Sequence, residues 1–234
     1  MKKTKIVATI SDKRCDVEFL ESLYCAGMNV VRLNTAHQDI EQALKVVENV
    51  RKVSDDIAIL IDTKGPEVRT MLMDEPMHVD RGETVYLTGD PELKMEGKLI
   101  HVSYPYFAED IKVGDKVLID DGDVELVVVE KHHHSLQMMA TNEATIKNRK
   151  SVNVPGASLK LQSLSDKDRA FIDFAVDNHL DFIAHSFVRN KEDVMAVQAI
   201  LDARDSKIKV IAKIENQDGV DNIDEILDYA YGVM

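Results

Sequence analysis

Short apolar runs rich in β-branched residues recur early in the chain, at Lys5–Ile10, Val30–Leu33 and Ile57–Ile61. Runs of this kind are typical of parallel strands buried on both faces. Between them the spacing changes to a helical one. Val17, Leu20, Leu23 and Tyr24 form one apolar stripe, and Ile40, Ala43, Leu44, Val47 and Val50 form a cleaner one. The order β-α-β-α-β with short connections predicts a wound α/β fold.

The rhythm breaks after Arg69. From about residue 71 to 157 the pattern is alternation and turn signals, with no helix predicted. Lys116–Ile119 and Val124–Val129 flank Asp120-Asp121-Gly122-Asp123, a hairpin-type turn. Thr84–Leu87 and Gln137–Thr141 read as further strands, and Pro155-Gly156 closes the segment. An all-β module inserted into an α/β domain accounts for this, with domains expected at 1–70, 71–157 and 158–234. The α/β rhythm then resumes. Helices are predicted at Asp166–Val176, Glu192–Ala203 and Val220–Leu227, the last with Val220, Ile223 and Leu227 on one side. Strands are predicted at Phe182–His185 and Lys209–Lys213, and Tyr231–Met234 resembles the start of another. About five strand-plus-helix units result. They fit part of an eight-unit barrel or an open five-stranded sheet equally well, and periodicity does not choose between them.

Composition narrows the class. Of 234 residues, 44% are hydrophobic and 30% charged, as in an ordinary globular protein. No apolar run approaches the ~20 residues of a membrane span, and the first ten residues lack a signal-peptide pattern. The expectation is a cytoplasmic protein with no membrane partner. A net charge of −13 argues against nucleic acid. Two cysteines, Cys15 and Cys25, make no disulfide framework, and Cys25 is expected as a buried thiol in its helix.

Chemistry gathers where strands end, the usual place for sites in wound α/β folds. The second strand ends in Arg32-Leu33-Asn34 with His37 beyond, and the third in Asp62-Thr63-Lys64-Gly65-Pro66-Glu67-Val68-Arg69. The next two end in His185-Ser186-Phe187-Val188-Arg189 and Lys213-Ile214-Glu215-Asn216. Arginine offers a planar fork to phosphate oxygens and lysine a point charge, while a carboxylate is a hard ligand for Mg²⁺. The set suits a phosphorylated substrate held with a divalent metal. His132-His133-His134 is expected to be a solvated turn, because adjacent residues of an extended segment point to opposite faces. The acidic run Asp221–Asp228 is expected to be the wet face of a helix.

Thr4–Val7, Ala26–Asn34, Asp62–Arg69, Val152–Gly156 and Lys213–Asn216 resemble, in order, the signatures of the pyruvate kinase family. The resemblance implies a partial (β/α)₈ barrel with an inserted β-rich lid, and a chain that stops before the rest of the barrel and the C-terminal domain. It implies phosphoryl transfer from phosphoenolpyruvate to ADP, giving pyruvate and ATP, in a parent enzyme that is a homotetramer. By resemblance Arg32 and Lys213 are catalytic and, with Ser186 and Phe187, bind substrate. Glu215 would hold Mg²⁺ or Mn²⁺, and Asn34, Asp62 and Thr63 would hold K⁺. His37, Arg69 and Lys150 would contact the nucleotide. Two departures matter: Ala36 replaces a serine that supplies a K⁺ ligand, and Ser11-Asp12 replaces Gly-Pro beside the adenine nucleotide. Glu67 stands where K⁺-independent members carry lysine. A non-catalytic product that binds phosphoenolpyruvate or another subunit is the alternative, and a Schiff-base lyase using Lys213 is the remoter one.

Overall fold

The computed structural model describes residues 4–157 and 159–234. In chain order it opens with β1 (Val7–Thr9), α1 (Val17–Cys25), β2 (Val30–Asn34), α2 (Ile40–Val53) and β3 (Ala58–Asp62). A β-rich segment follows: β4 (Val68–Met71), β5 (Met77–Val79), β6 (Thr84–Thr88), β7 (Leu99–Val102), the single-turn α3 (Phe107–Asp110), β8 (Lys116–Ile119), β9 (Val124–Lys131), β10 (Leu136–Ala140), β11 (Ala144–Ile146) and β12 (Ser151–Asn153). The chain then continues through α4 (Asp166–Asp177), β13 (Phe182–His185), α5 (Lys191–Ala203), β14 (Lys209–Ala212), α6 (Gln217–Asp221), α7 (Ile223–Leu227) and β15 (Gly232–Val233). Two compact units result, one of residues up to Pro66 together with Gln162 onward, the other Glu67–Leu161.

In the first unit six strands pair in the order β1-β2-β3-β13-β14-β15, and every pair is parallel. Spatial order follows chain order with no reversal. A doubly wound sheet reverses direction at a switch point, whereas a (β/α) barrel adds each strand beside the last. The choice left open by periodicity therefore goes to the partial barrel, with six strands where about five units were expected. The helices earn their places locally. In α2 the Asp39 side chain accepts from the Gln42 N–H while the Gln42 side chain accepts from the Asp39 N–H, a reciprocal cap. Ser165 and Asp168 do the same for α4. Ala43, Val46, Val47 and Val50 of α2 and Phe171, Ile172 and Ala175 of α4 join Val31, Ile59, Ile61 and Ile183 of the strands in one core.

The second unit has its own core, including Val85, Leu87, Ile100, Phe107, Leu126 and Met138. Seven strands close into a barrel in the order β10-β6-β7-β4-β12-β8-β9, and β5 pairs with β11 alone. The hairpin at Asp120–Gly122 has positive φ at all three positions (54°, 56° and 97°), as Asp and Gly tolerate.

Three expectations are corrected. Residues 71–157 do contain a helical turn, α3, made by burying Phe107 and Ala108 rather than by an amphipathic repeat. Cys25 is exposed and Cys15 is the buried thiol, because α1 buries only Leu20 and Cys25 lies on its outer side. The helix expected at Val220–Leu227 is broken at Asn222, whose side-chain amide donates to the Arg189 carbonyl (2.9 Å). The break rotates the stripe, so Ile226 is buried while Val220 and Leu227 face solvent. His132–His134 lie exposed between β9 and β10, and Asp221, Asp224 and Asp228 are exposed as expected.

Candidate active site

Asp62, the last residue of β3, is the centre of the site. Its side chain is 2% exposed, and both oxygens are engaged. Oδ2 accepts from Arg32 Nε (2.6 Å), and the Arg32 Nη2 also pairs with it. Oδ1 lies 3.0 Å from Lys213 Nζ and accepts from the Ser186 hydroxyl (3.2 Å). Arg32 comes from β2, Asp62 from β3, Ser186 from the turn after β13 and Lys213 from the turn after β14, so four consecutive strands of the sheet contribute. Arg32 is further oriented by the Thr9 hydroxyl at the end of β1 (2.8 Å).

Glu215 joins the group. Its Oε1 lies 3.2 Å from Lys213 Nζ, and its Oε2 accepts the Phe187 N–H (3.1 Å). Phe187 has φ of 57°, an unusual conformation for an aromatic residue, and that conformation goes with its N–H meeting the carboxylate. Two cations and two carboxylates thus leave the cluster close to neutral. Asp62 is sealed in, while the side chains of Arg32 and Glu215 are about a third exposed. An arriving anion would meet the guanidinium and ammonium from the open side.

Behind this group lies a buried polar layer that includes His185 and Asp168, to which sequence reading gave no role. The Thr63 hydroxyl accepts the Ser186 N–H (3.0 Å) and lies 3.3 Å from His185 Nδ1. The Thr63 hydroxyl thus bridges the Ser186 N–H and the His185 ring, whose Nε2 is buried with no hydrogen-bond partner among the described residues. Burial holds the His185 pKa down at about 4, so the ring is neutral at physiological pH. Asp168, fully buried, accepts from the Lys64 N–H (3.0 Å) and the Ser165 hydroxyl (2.6 Å), tying the loop after β3 to the start of α4. Its signal was present as the Ser-x-x-Asp spacing of a helix cap. Gly65 in that loop has φ of 68°, and a Cβ there would come within 2.9 Å of both the Cβ and the carbonyl oxygen of Ser186. Glycine lets the loop approach the Ser186 turn.

The other expected site residues make contacts of their own. Asn34 pairs in register with Asp62, but its Oδ1 accepts the Ala36 N–H (3.1 Å). His37 is exposed in the turn after β2. In the second unit Arg69 is held by Glu67 (2.8 Å) and the Arg149 carbonyl (2.5 Å), and Lys150 by Asp120 (2.7 Å).

Comparison with known proteins identifies the family. The model of the pyruvate kinase barrel domain matches residues 1–234. A pyruvate kinase of Borreliella burgdorferi is 50% identical over 234 residues, which is 100% of this chain and 49% of that protein. A pyruvate kinase of Geobacillus stearothermophilus is 42% identical over 100% of this chain and 41% of its own length. The crystal structure of a pyruvate kinase from Cryptosporidium parvum superposes with a TM-score of 0.94 at 36% identity, over 100% of this chain and 50% of that one. The chain therefore spans about half the length of the relatives it matches.

Proposed function

The chain belongs to the pyruvate kinase family, and we propose that Arg32, Lys213 and Glu215 serve transfer of the phosphoryl group of phosphoenolpyruvate to ADP. The observation that carries this reading is the pairing of Arg32 and Lys213 on one buried carboxylate, Asp62. Two cations held by a protein anion are pre-oriented, and a substrate phosphate can take over their hydrogen bonds as it binds. Arg32, the more exposed of the two, takes phosphate oxygens. Lys213 sits deeper, where it can follow the moving group and then face the enolate oxygen. In the transfer an oxygen of the ADP β-phosphate bonds to phosphorus while the enol C–O–P linkage breaks at phosphorus. Charge thus passes to the enolate oxygen, and protonation at carbon completes pyruvate. Phosphoryl transfer asks mainly for positioning and charge neutralisation, which is what this group of side chains offers.

Glu215 fits a divalent cation. It is partly exposed, and Mg²⁺ commonly takes one or two protein carboxylates with substrate phosphates completing its shell. Bound there, Mg²⁺ would supply neutralisation of phosphate charge. For K⁺ the proposed donors are Asn34, Asp62 and Thr63. Both Asp62 oxygens already meet cations, so they become available only as Arg32 and Lys213 turn to a substrate phosphate. His37, and on the second unit Arg69 and Lys150, are proposed nucleotide contacts.

The half-length coverage favours one further reading, that these 234 residues bind phosphoenolpyruvate without turnover. A lactate-dehydrogenase-coupled assay run beside a phosphoenolpyruvate titration tests both readings. The 234 residues alone are expected to bind the substrate and release no pyruvate. Rates like those of the full-length relatives would overturn the need for further residues, and absence of binding would overturn the site.

A further inference from the structure

A second constellation lies on the small β5–β11 sheet, far in sequence from the barrel residues. His78 on β5 pairs in register with Thr145 on β11, and Asp80 and Glu143 are the residues just past the paired ends of the two strands. The side chains of Asp80, Glu143 and Thr145 all come up to the His78 ring. The His78 Nε2 lies 3.4 Å from Asp80 Oδ1 and 3.8 Å from Glu143 Oε1, and the three ligand atoms all fall within 4.8 Å of one another.

Two physical features set this group apart from ordinary surface charge. Two carboxylates whose oxygens lie within 4.8 Å of each other repel unless a cation sits between them. The other ring nitrogen of His78, Nδ1, is 3.4 Å from the Thr145 hydroxyl. A proton on Nδ1 given to that hydroxyl leaves a lone pair on Nε2, aimed at two anions. This is the second-shell pattern that orients metal-bound imidazoles. The spacing also fits. With bonds of about 2.0–2.1 Å, tetrahedral ligands sit roughly 3.3 Å apart, close to the two distances seen. The nearby Lys98 does not neutralise the pair, because its ammonium is taken up by Glu83 (2.6 Å) and the His78 carbonyl (2.6 Å). That second contact anchors the β5 backbone beneath the imidazole.

We propose that His78, Asp80 and Glu143 bind one divalent transition-metal ion, with Zn²⁺ the best match to an imidazole-plus-two-carboxylate set and a water in the fourth position. Imidazole discriminates against Mg²⁺ here, which separates this site from the carboxylate Glu215 in the barrel. The site stands on the second unit alone and does not depend on the proposed kinase activity.

The test is a Co²⁺ titration of the 234-residue chain in excess Mg²⁺, followed by visible absorption, with Zn²⁺ added as competitor. It is done in a background where His132, His133 and His134 are all asparagine, removing the other clustered exposed imidazoles. One equivalent should bind, with an absorption typical of four- or five-coordinate cobalt, and Zn²⁺ should displace it. His78→Asn should weaken uptake by at least ~100-fold, more than loss of an outer partner costs, and Glu143→Gln by at least ~10-fold. All of these side chains are exposed, so the variants should keep the fold. Uptake unchanged in His78→Asn, or abolished by the triple asparagine background, would overturn the proposal.

Discussion

Asp62→Asn is the most informative single change in the barrel. It keeps the shape and one oxygen for Ser186 but removes the anion that Arg32 and Lys213 share. The cluster of two cations and two carboxylates then carries one uncompensated positive charge. At 3.0 Å the Lys213–Asp62 attraction alone is about 5 kcal/mol for an effective dielectric near 20, set against the desolvation of a carboxylate that is 2% exposed. Removing one member of a buried ion pair typically costs about 3–5 kcal/mol. The Arg32 side chain is 28% exposed and can turn to water, which places the expected loss near ~3 kcal/mol. For a barrel unit of about 140 residues melting by itself that corresponds to a fall in Tm of roughly 10 °C. The assay is differential scanning calorimetry in a choline buffer with chelator, so that no K⁺ or Mg²⁺ substitutes for a side chain. The two units have separate cores and can melt in separate steps, so the shift should appear only in the barrel transition. Inorganic phosphate should raise that transition more in Asp62→Asn than in the parent, since the freed cations then have no competing carboxylate. An unchanged barrel Tm with an equal phosphate effect in both proteins would refute the central role given to Asp62.

Two further outcomes follow from the layer behind it. Because the folded His185 pKa lies near 4 against an ordinary 6.5, the unfolded chain binds more protons between those values. Stability should therefore be fully present above pH ~6.5 and fall as pH drops toward 4, by up to ~1.4 kcal/mol per pH unit. Urea melts of His185→Asn should lose about one proton of that slope, and an identical slope would remove the buried neutral imidazole from the account. Gly65→Ala places a Cβ within 2.9 Å of Ser186 in a left-handed conformation, costing at least ~1–2 kcal/mol. The barrel Tm and phosphoenolpyruvate affinity should drop together, and a variant losing neither would show that the loop yields freely.

The legible part of this protein was the part written in short-range pattern. The runs at β2, β3, β13 and β14 stand out because parallel strands buried on both faces are almost uninterrupted apolar segments. Strand order was not legible, since hydrophobic period says nothing about which strand lies beside which. Residue type marked Arg32, Lys213 and Glu215 as candidates, but the pairing of Arg32 and Lys213 on Asp62 depends on side-chain direction across β2, β3 and the turn after β14. Asn222 illustrates a second limit. Its bond to Arg189 is made across more than thirty residues of chain and breaks a helix that local periodicity would extend. Cys25 shows a third, because an apolar neighbourhood in sequence did not place it on the buried side of α1.

Phosphoenolpyruvate binding to the Arg32→Gln and Lys213→Met variants, measured by isothermal titration calorimetry in the presence of Mg²⁺, bears most directly on the site. Each charged hydrogen bond lost is worth about 1.5–3 kcal/mol, so either change should weaken binding by roughly 10- to 150-fold. Affinities matching the unsubstituted chain in both variants would mean that the guanidinium and ammonium around Asp62 hold no phosphate.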